Sequence, residues 1–140
     1  MNWRAEVSLQ LNGFELDVSI AQSSPTVIIG PNGSGKTTLL RVLAGAFDNV
    51  AGHVSFGERV FLDSAKKLRL SPEERQLGYV PQGYGLFPNL TVLGNLLFGK
   101  GGARGAATEA LDRMGCLNLA DRYPDSLSGG EKQKVALARA

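Results

Sequence analysis

The feature that most constrains the fold is a glycine-rich run at residues 30–37, which follows an apolar run at 26–29. The glycine-rich run fits the pattern G-x-x-x-x-G-K-[ST], whose backbone N–H groups surround phosphate groups. Its glycines permit the positive φ angles and the close backbone approach that such a loop requires. The apolar run predicts a buried strand before the loop, and the residues from Lys36 to about Ala44 predict a helix after it. We therefore expect an α/β P-loop core with a nucleotide site at the start of that helix.

The composition fits one soluble globular domain. The chain has 140 residues, of which 43% are hydrophobic and 20% charged, so it can form a core but no more than one domain. Its net charge of +2 gives no indication of a nucleic acid or an anionic membrane as partner. The single cysteine, Cys116, excludes an internal disulfide and predicts a small buried residue. The N-terminus has no apolar signal core, and proline and glycine interrupt the uncharged run at 76–99 too often for a transmembrane helix.

Alternating apolar residues predict two β-hairpins. The first covers about residues 4–20 and turns at an Asn-Gly pair, and the second covers residues 52–62 and turns at a Gly-Glu pair. Residues 71–74 combine an N-cap serine with proline and glutamate, which predicts a short helix. Residues 77–80 then predict a second short buried strand. Two apolar runs separated by a helix indicate a right-handed parallel crossover.

Residues 83–126 predict a helical insertion on this core. Residues 83–90 are a loop rich in glycine and aromatic residues, and the leucines after it predict a short helix. Residues 99–105 predict a flexible break. Apolar residues beyond the break have helical spacing, and Gly115 would end that helix.

A second glycine-rich helix start lies at residues 126–133. Ser128 and Glu131 fit the capping box S-x-x-E, which by itself explains a helix N-terminus. Gly129 and Gly130 are costly there, because glycine loses up to ~1 kcal/mol per helical position relative to alanine. Since glycine leaves backbone N–H groups open to an approaching anion, the chain has a second helix start suited to phosphate.

Together these motifs resemble the ATP-binding cassette (ABC) family. Three of them occur in that family's order: the phosphate loop, Gln82 after the apolar run at 77–80, and the Leu-Ser-Gly-Gly-Glu run that begins at Leu127. The last run resembles the family's signature, which is far more specific than a phosphate loop alone. The resemblance covers essentially the whole chain, and residues 86–92 look like the importer-type subunits, especially those serving molybdate and related oxyanions.

The resemblance implies a set of site residues. The catalytic residues would be Lys36 and Gln82. Lys36 would reach the β- and γ-phosphates, and Gln82 would touch Mg²⁺ or the attacking water. The Thr37 hydroxyl would be the other Mg²⁺ ligand. Phe14 would stack on the adenine of ATP, and simple strand packing explains this residue equally well. The ATP contacts would be Gly30, Pro31, Asn32, Gly33, Ser34, Gly35, Lys36, Thr37 and Thr38 in the loop, and Ser128, Gly129 and Gly130 contributed by the partner subunit.

The resemblance also implies partners and a location. Such cassettes close head to tail around two ATP molecules, so a second ABC subunit is expected and a homodimer is favoured. Residues 83–91 would dock membrane-spanning permease subunits, with Tyr84, Leu86 and Phe87 as apolar anchors. No nucleic acid partner is expected. The subunit would lie in the cytoplasm, peripheral on the inner face of the cell membrane.

The expected organisation is one incomplete ABC domain, with a nucleotide-binding core at 1–82, a helical subdomain at 83–126 and the signature segment at 127–140. The family's next elements, an apolar strand ending in Asp-Glu and a switch histidine, would follow Ala140. Because phosphoryl transfer relies on positioned metal and water, we expect the complete subunit to hydrolyse ATP and the 140-residue chain to bind nucleotide with negligible turnover. The strand that would follow belongs in the middle of the sheet, so its neighbours would have exposed edges.

Two other functions fit the phosphate loop. A soluble ABC-type ATPase acting on nucleic acid or ribosomes usually carries long insertions or tandem cassettes with basic surfaces, whereas this insertion is short and has no basic tract. A small-molecule kinase or a GTPase would leave residues 128–131 unexplained, and the Asn-Lys-x-Asp element that reads guanine is absent from the sequence. We therefore favour the ATP-binding subunit of a membrane transporter.

Overall fold

The structure, a computed structural model, describes residues 2–99 and 103–140. The chain divides into two compact units, the first ending at Leu77 and the second beginning at Gly78. Within the described ranges, no helix is both long enough and apolar enough to cross a membrane. In chain order the elements are β1 (Trp3–Leu11), β2 (Phe14–Gln22), α1 (Lys36–Ala44), β3 (Ala51–Phe56), β4 (Arg59–Asp63), β5 (Leu68–Arg69), α2 (Pro72–Arg75), α3 (Val92–Gly99), α4 (Arg104–Arg113), two 3₁₀ turns (Leu117–Leu119 and Pro124–Ser126) and α5 (Gly129–Arg139).

The first unit contains an antiparallel sheet with the strand order β2-β1-β3-β4-β5. Both predicted hairpins are confirmed, the first as β1 and β2 and the second as β3 and β4. Ala5, Val7 and Leu9 of β1 are buried while the residues between them are exposed, as the alternating pattern predicts. The short strand β5 was not predicted.

Helix α1 packs on the same core as β1. Its buried residues Leu39, Val42 and Leu43 belong to the cluster that includes the buried side chains of β1. The predicted helix is confirmed, and Gly45 ends it with a φ of 88° in the left-handed region. This packing holds the helix that begins at Lys36, directly after the glycine-rich loop.

Two predicted strands, at residues 26–29 and 77–80, are not strands in the structure. The predicted parallel crossover is therefore wrong for the described residues, where every pair of neighbouring strands is antiparallel. Val27 and Ile29 are 85% and 88% exposed. An apolar run becomes a buried strand only where a neighbouring strand supplies hydrogen-bond partners, and the described part of the chain supplies none here. The short helix between the two runs, α2, is confirmed with its capping box at Ser71.

The second unit is a cluster of helices, in which α3, α4 and α5 contribute buried apolar residues to one core. The predicted helices are found, but the predicted break at residues 99–105 is wrong at both ends. Gly99 belongs to α3 and Arg104 begins α4, while residues 100–102 lie outside the described residues. Cys116 is buried as predicted, and burial raises the pKa of its thiol.

Candidate nucleotide-binding site

The glycine-rich loop lies in the first unit, at the start of α1. Gly33 and Gly35 have φ angles of 81° and 89°, which a residue with a side chain rarely adopts. Gly35 is the N-cap of α1, and no side chain of the described residues accepts a hydrogen bond at this cap. The first turn of the helix also contains no acidic residue. The N–H groups of the first turn and the positive end of the helix dipole are therefore left for an external anion.

The side chain of Lys36 folds back over this loop. Its Nζ donates to the carbonyl of Gly30 at 2.8 Å and to the carbonyl of Pro31 at 2.6 Å, and it lies 3.5 Å from Ser34 Oγ. The loop therefore holds a positive charge against its own backbone, at the same helix start that offers free N–H groups. Thr37 is the next residue of α1 and is exposed, so its hydroxyl oxygen is of the type that Mg²⁺ prefers.

Phe14 of β2 packs directly against the loop. A Cβ built on Gly35 would lie 2.7 Å from Phe14 Cζ and 3.1 Å from Leu16 Cδ1, so the ring occupies the space that a side chain would need. A cavity of about 310 Å³ lies between β2 and the loop, and Lys36 is among its lining residues. Phe14 is half-buried, which leaves part of the ring accessible. This contact fits both strand packing and stacking on adenine, so the role of Phe14 stays a prediction.

The signature residues begin α5 in the second unit. Ser128 is the N-cap, and its Oγ accepts a hydrogen bond from the Glu131 N–H at 3.4 Å. In return Glu131 Oε2 accepts from the Ser128 N–H and from the Ser128 hydroxyl, both at 2.7 Å. The predicted capping box is thereby confirmed. The hydrogen bonds from Ser128 lower the pKa of the Glu131 carboxyl, because they stabilise its ionised form.

Gly129 and Gly130 follow the cap as the first two residues of α5, and both are exposed. Among residues 2–99 and 103–140, a Cβ on Gly130 would meet nothing within 4 Å, and a Cβ on Gly129 would meet the Tyr84 hydroxyl at 3.9 Å. Neither N–H donates to another described residue. Close packing therefore does not explain why both positions are glycine. The better explanation is that two glycines leave two N–H donors open to an anion at the helix N-terminus.

Arg75 has a role in the first unit that the sequence did not indicate. Only 2% of this residue is exposed, and its Nη1 donates to the carbonyls of Val42 at 2.8 Å and Leu43 at 2.7 Å. Its Nε donates to the carbonyl of Leu70 at 3.1 Å. Within the described ranges no carboxylate pairs with it, so the negative end of α1 compensates its charge. Arg75 thus fixes the far end of the helix that starts at the loop.

Asn95 is a buried polar residue of the second unit, and its side chain fixes the backbone of the loop before α3. It is fully buried in α3, its Oδ1 accepts from the Phe87 N–H at 2.8 Å, and its Nδ2 donates to the Phe87 carbonyl at 3.1 Å. Nδ2 also donates to the carbonyls of Leu90 and Thr91, at 3.1 and 3.0 Å. The sequence signal that could have indicated this role is an asparagine within an apolar helical segment. Such a residue must find partners once it is buried.

The predicted residues of the loop at 83–91 have different environments. Leu86 is half-buried and packs on the core of the second unit, whereas Phe87 is 38% exposed. The Phe87 ring contacts the exposed ring of Phe98 edge-on, with centroids 4.7 Å apart. Gln82 is exposed in this unit, next to a turn in which the Tyr84 N–H donates to the Pro81 carbonyl at 2.9 Å. The structure thus groups the loop residues with Phe14 in one unit, and Gln82 with the signature residues in the other.

An uncapped glycine-rich helix start with a lysine folded over it defines a phosphate-loop nucleotide-binding protein. The sequence matches the family described as ABC transporter over residues 14–140, and the chain belongs to that family. Among solved structures, it is similar to a dimeric bacterial ABC transporter cassette, MJ0796. The TM-score is 0.69 at 24% identity, over 99% of this chain and 68% of that one. The predicted fold class, an ABC-type core with an N-terminal antiparallel hairpin and a helical subdomain, is confirmed.

Curated relatives include ATP-binding proteins of import systems. The chain is 46% identical over 131 residues to the molybdenum import ATP-binding protein ModC of Saccharophagus degradans, covering 90% of this chain and 36% of the relative. It is 47% identical over 134 residues to ModC of Methylococcus capsulatus, with 91% and 37% covered. It is 39% identical over 141 residues to the sulfate/thiosulfate import ATP-binding protein CysA of Escherichia coli, with 93% and 36% covered. The chain thus spans little more than a third of the length of these relatives.

Proposed function

We propose that this chain is the nucleotide-binding part of the ATP-binding subunit of an ABC importer, which uses MgATP to drive uptake of a solute. The observation that carries the proposal is the start of α1, where the N-cap is a glycine and no side chain in the described part of the protein accepts from the first-turn N–H groups. Lys36 adds a cation at the same place. An uncapped helix end next to a lysine matches the charge and the donor geometry that a polyphosphate requires.

In this proposal the loop from Gly30 to Thr38 binds the phosphates, and Lys36 exchanges its carbonyl contacts for the β- and γ-phosphate oxygens. The Thr37 hydroxyl would hold Mg²⁺, which supplies charge neutralisation for phosphoryl transfer, and Gln82 is proposed to touch the metal or the attacking water. The donor set fits the metal, because a hydroxyl and an amide oxygen are hard oxygen ligands. Phe14 covers one face of the adenine.

The γ-phosphate side of the site is completed by Ser128, Gly129 and Gly130 of a second copy of the subunit. Two features support this proposal: the open N–H groups of the two glycines, and the dimeric state named for the structurally similar cassette. Each copy then contributes one loop and one signature to different ATP molecules. Nucleotide binding therefore holds two copies together, and hydrolysis releases them.

Residues 83–91 dock a membrane-spanning permease, which places the subunit on the cytoplasmic face of the membrane. The exposed rings of Phe87 and Phe98 provide an apolar anchor of the kind found at protein interfaces. Two relatives are named for molybdenum import and one for sulfate and thiosulfate import. These names support a tetrahedral oxyanion as the imported solute.

Nucleotide binding is tested by titrating the subunit with a fluorescent ATP analogue, with and without Mg²⁺. We expect Lys36→Ala to weaken binding by about a hundredfold, since each charge-assisted hydrogen bond contributes ~1.5–3 kcal/mol. Arg41→Ala is the matched control, because it removes one exposed positive charge from the same helix. If the parent, Lys36→Ala and Arg41→Ala bind the analogue with equal affinity, the proposal that this loop binds the phosphates of ATP is contradicted.

Import is tested in vesicles that contain the full-length subunit with its permease. We expect ATP-dependent accumulation of molybdate or sulfate in the parent and none in the Lys36→Ala variant. Binding of the subunit to ribosomes or RNA, with no association with a permease, would instead support the soluble ATPase alternative.

A further inference from the structure

One arginine joins the loop at 83–91 to the helix that begins with the signature. Arg139, the last residue of α5, donates from Nη1 to the Gly85 carbonyl at 2.6 Å and from Nη2 to the Tyr84 carbonyl at 3.2 Å. Its guanidinium also lies over the Phe87 ring, 5.6 Å from the centroid. Tyr84, Gly85 and Phe87 are therefore held by one side chain of α5, through two charge-assisted hydrogen bonds and a cation–π contact.

The segment that Arg139 holds has an unfavourable backbone conformation. Tyr84 has a φ of 62° and Gly85 a φ of 61°, and the left-handed region is uncommon for a tyrosine. A Cβ on Gly85 would also lie 3.0 Å from Pro81 Cγ and 3.4 Å from Arg139 Nη2. Such a conformation persists only where its surroundings impose it, and the hydrogen bonds from Arg139 to both carbonyls do so here.

Tyr84 extends the connection to the other end of α5. Its hydroxyl lies 3.9 Å from the point where a Cβ on Gly129 would stand, so the side chain borders the first signature glycine. The Tyr84 carbonyl thus accepts a hydrogen bond from the last residue of α5, while the Tyr84 hydroxyl lies near the first residue of the same helix.

The rest of the loop has little freedom to absorb a displacement. Asn95 holds both backbone groups of Phe87 and the carbonyl of Leu90 from α3. The exposed Phe87 ring lies under the Arg139 guanidinium, so it is in a position to pass a displacement on to α5.

We propose that Arg139 is a positioning residue that transmits partner docking at residues 83–91 to the signature residues at the start of α5. This inference rests on the proposed function, because it takes the docked partner to be a permease and the signature to contact ATP. Docking adjusts the placement of Gly129 and Gly130 through the loop, Arg139 and the rigid helix between them. ATP turnover then depends on the permease.

The test compares ATP turnover of the full-length subunit, free and assembled with its permease in vesicles. Arg139→Gln should leave turnover of the free subunit within about twofold of the parent and reduce the permease-dependent stimulation about fivefold or more, within the usual range of coupling between sites. Arg139→Lys keeps the charge but lacks the planar fork that bonds two carbonyls, and should show an intermediate stimulation. Lys134→Gln is the matched control, since it removes an exposed charge from the same helix and should retain full stimulation.

The outcomes separate the two proposals. A parent that the permease does not stimulate overturns the proposed function and this inference with it. A stimulated parent together with a fully stimulated Arg139→Gln variant overturns the inference alone. Equal loss of free and stimulated turnover, or failure of both Arg139 variants to fold, makes Arg139 a purely structural residue and also overturns it.

Hydrogen exchange gives a second measurement on the same complex. In the parent, we expect permease docking to slow exchange both at residues 84–91 and at 128–132. In Arg139→Gln we expect slowing at 84–91 only. Slowing at both segments in the variant would contradict transmission through Arg139.

Discussion

Replacing Arg75 with methionine removes a buried cation that holds the end of the phosphate-loop helix. The guanidinium donates to the carbonyls of Val42, Leu43 and Leu70. Hydrogen bonds from a charged donor contribute ~1.5–3 kcal/mol each, and removing the charge recovers part of its desolvation cost. Burial, together with the nearby Arg69, lowers the pKa of Arg75, in line with such a cost. We expect a net loss of about 3–5 kcal/mol in the free energy of unfolding.

Urea unfolding followed by tryptophan fluorescence measures this loss. Trp3, the only tryptophan of the chain, stacks on Phe56 at 5.9 Å, Phe56 stacks on Phe61 at 5.2 Å, and Arg75 lies over Phe61 at 5.7 Å. The probe therefore reports on the unit that contains the change. With a slope of about 2 kcal/mol per molar urea, the midpoint should fall by about 2 M.

Arg41→Met is the matched control for this experiment. Arg41 is exposed on the last turn of the same helix, and its loss should cost no more than about 1 kcal/mol through the helix dipole. If Arg75→Met unfolds within about 1 kcal/mol of Arg41→Met, Arg75 does not stabilise the end of α1 and the reasoning is refuted.

Three further changes test other parts of the chain. Asn95→Ala should lower the free energy of unfolding by about 2–4 kcal/mol, measured by urea titration, because buried backbone groups lose their partner. Gly35→Ala should abolish binding of a fluorescent ATP analogue, since the new methyl would collide with Phe14 and the φ of 89° is unfavourable. Gly105→Ala, whose new methyl would meet no described residue within 4 Å, should bind normally. The pKa of Glu131 lies below its usual 4.5, so its capping box stabilises the fold above pH 4.5 and that contribution is lost as the pH falls through the lowered pKa. Thermal unfolding from pH 7 to 3 should show this loss in the parent and a smaller one in Glu131→Gln.

Local sequence patterns were sufficient wherever the interacting groups are close along the chain. The capping boxes at Ser71 and Ser128 each join residues three positions apart, and both are confirmed. The hairpin of β1 and β2 likewise depends on an Asn-Gly turn and on alternation within its own strands. The start of α1 follows from its loop, and its stop follows from Gly45.

Features that depend on distant partners could not be predicted in this way. The apolar run at 26–29 has the composition of a buried strand, but strand formation needs a neighbour that the run itself does not specify. The local sequence predicts that Arg75 is a solvated helix residue, because the Val42 and Leu43 carbonyls that it binds lie far from it along the chain. The same holds for Arg139, whose partners at Tyr84 and Gly85 lie far away along the chain.

The two phosphate-competent helix starts differ in how their donors become available. At α1 the cap is a glycine, and no side chain in the ranges that the structure describes competes for the N–H groups of the first turn. At α5 the Ser128 hydroxyl donates to Glu131 Oε2, and an ionised carboxylate stands at the same helix end. A phosphate that approaches Ser128 must displace or share that carboxylate, which is repulsive between like charges. We therefore expect the loop to bind ATP first. The signature of a second copy would engage the γ-phosphate only when the two copies close on the bound nucleotide, as a contact that opens and closes with each cycle requires.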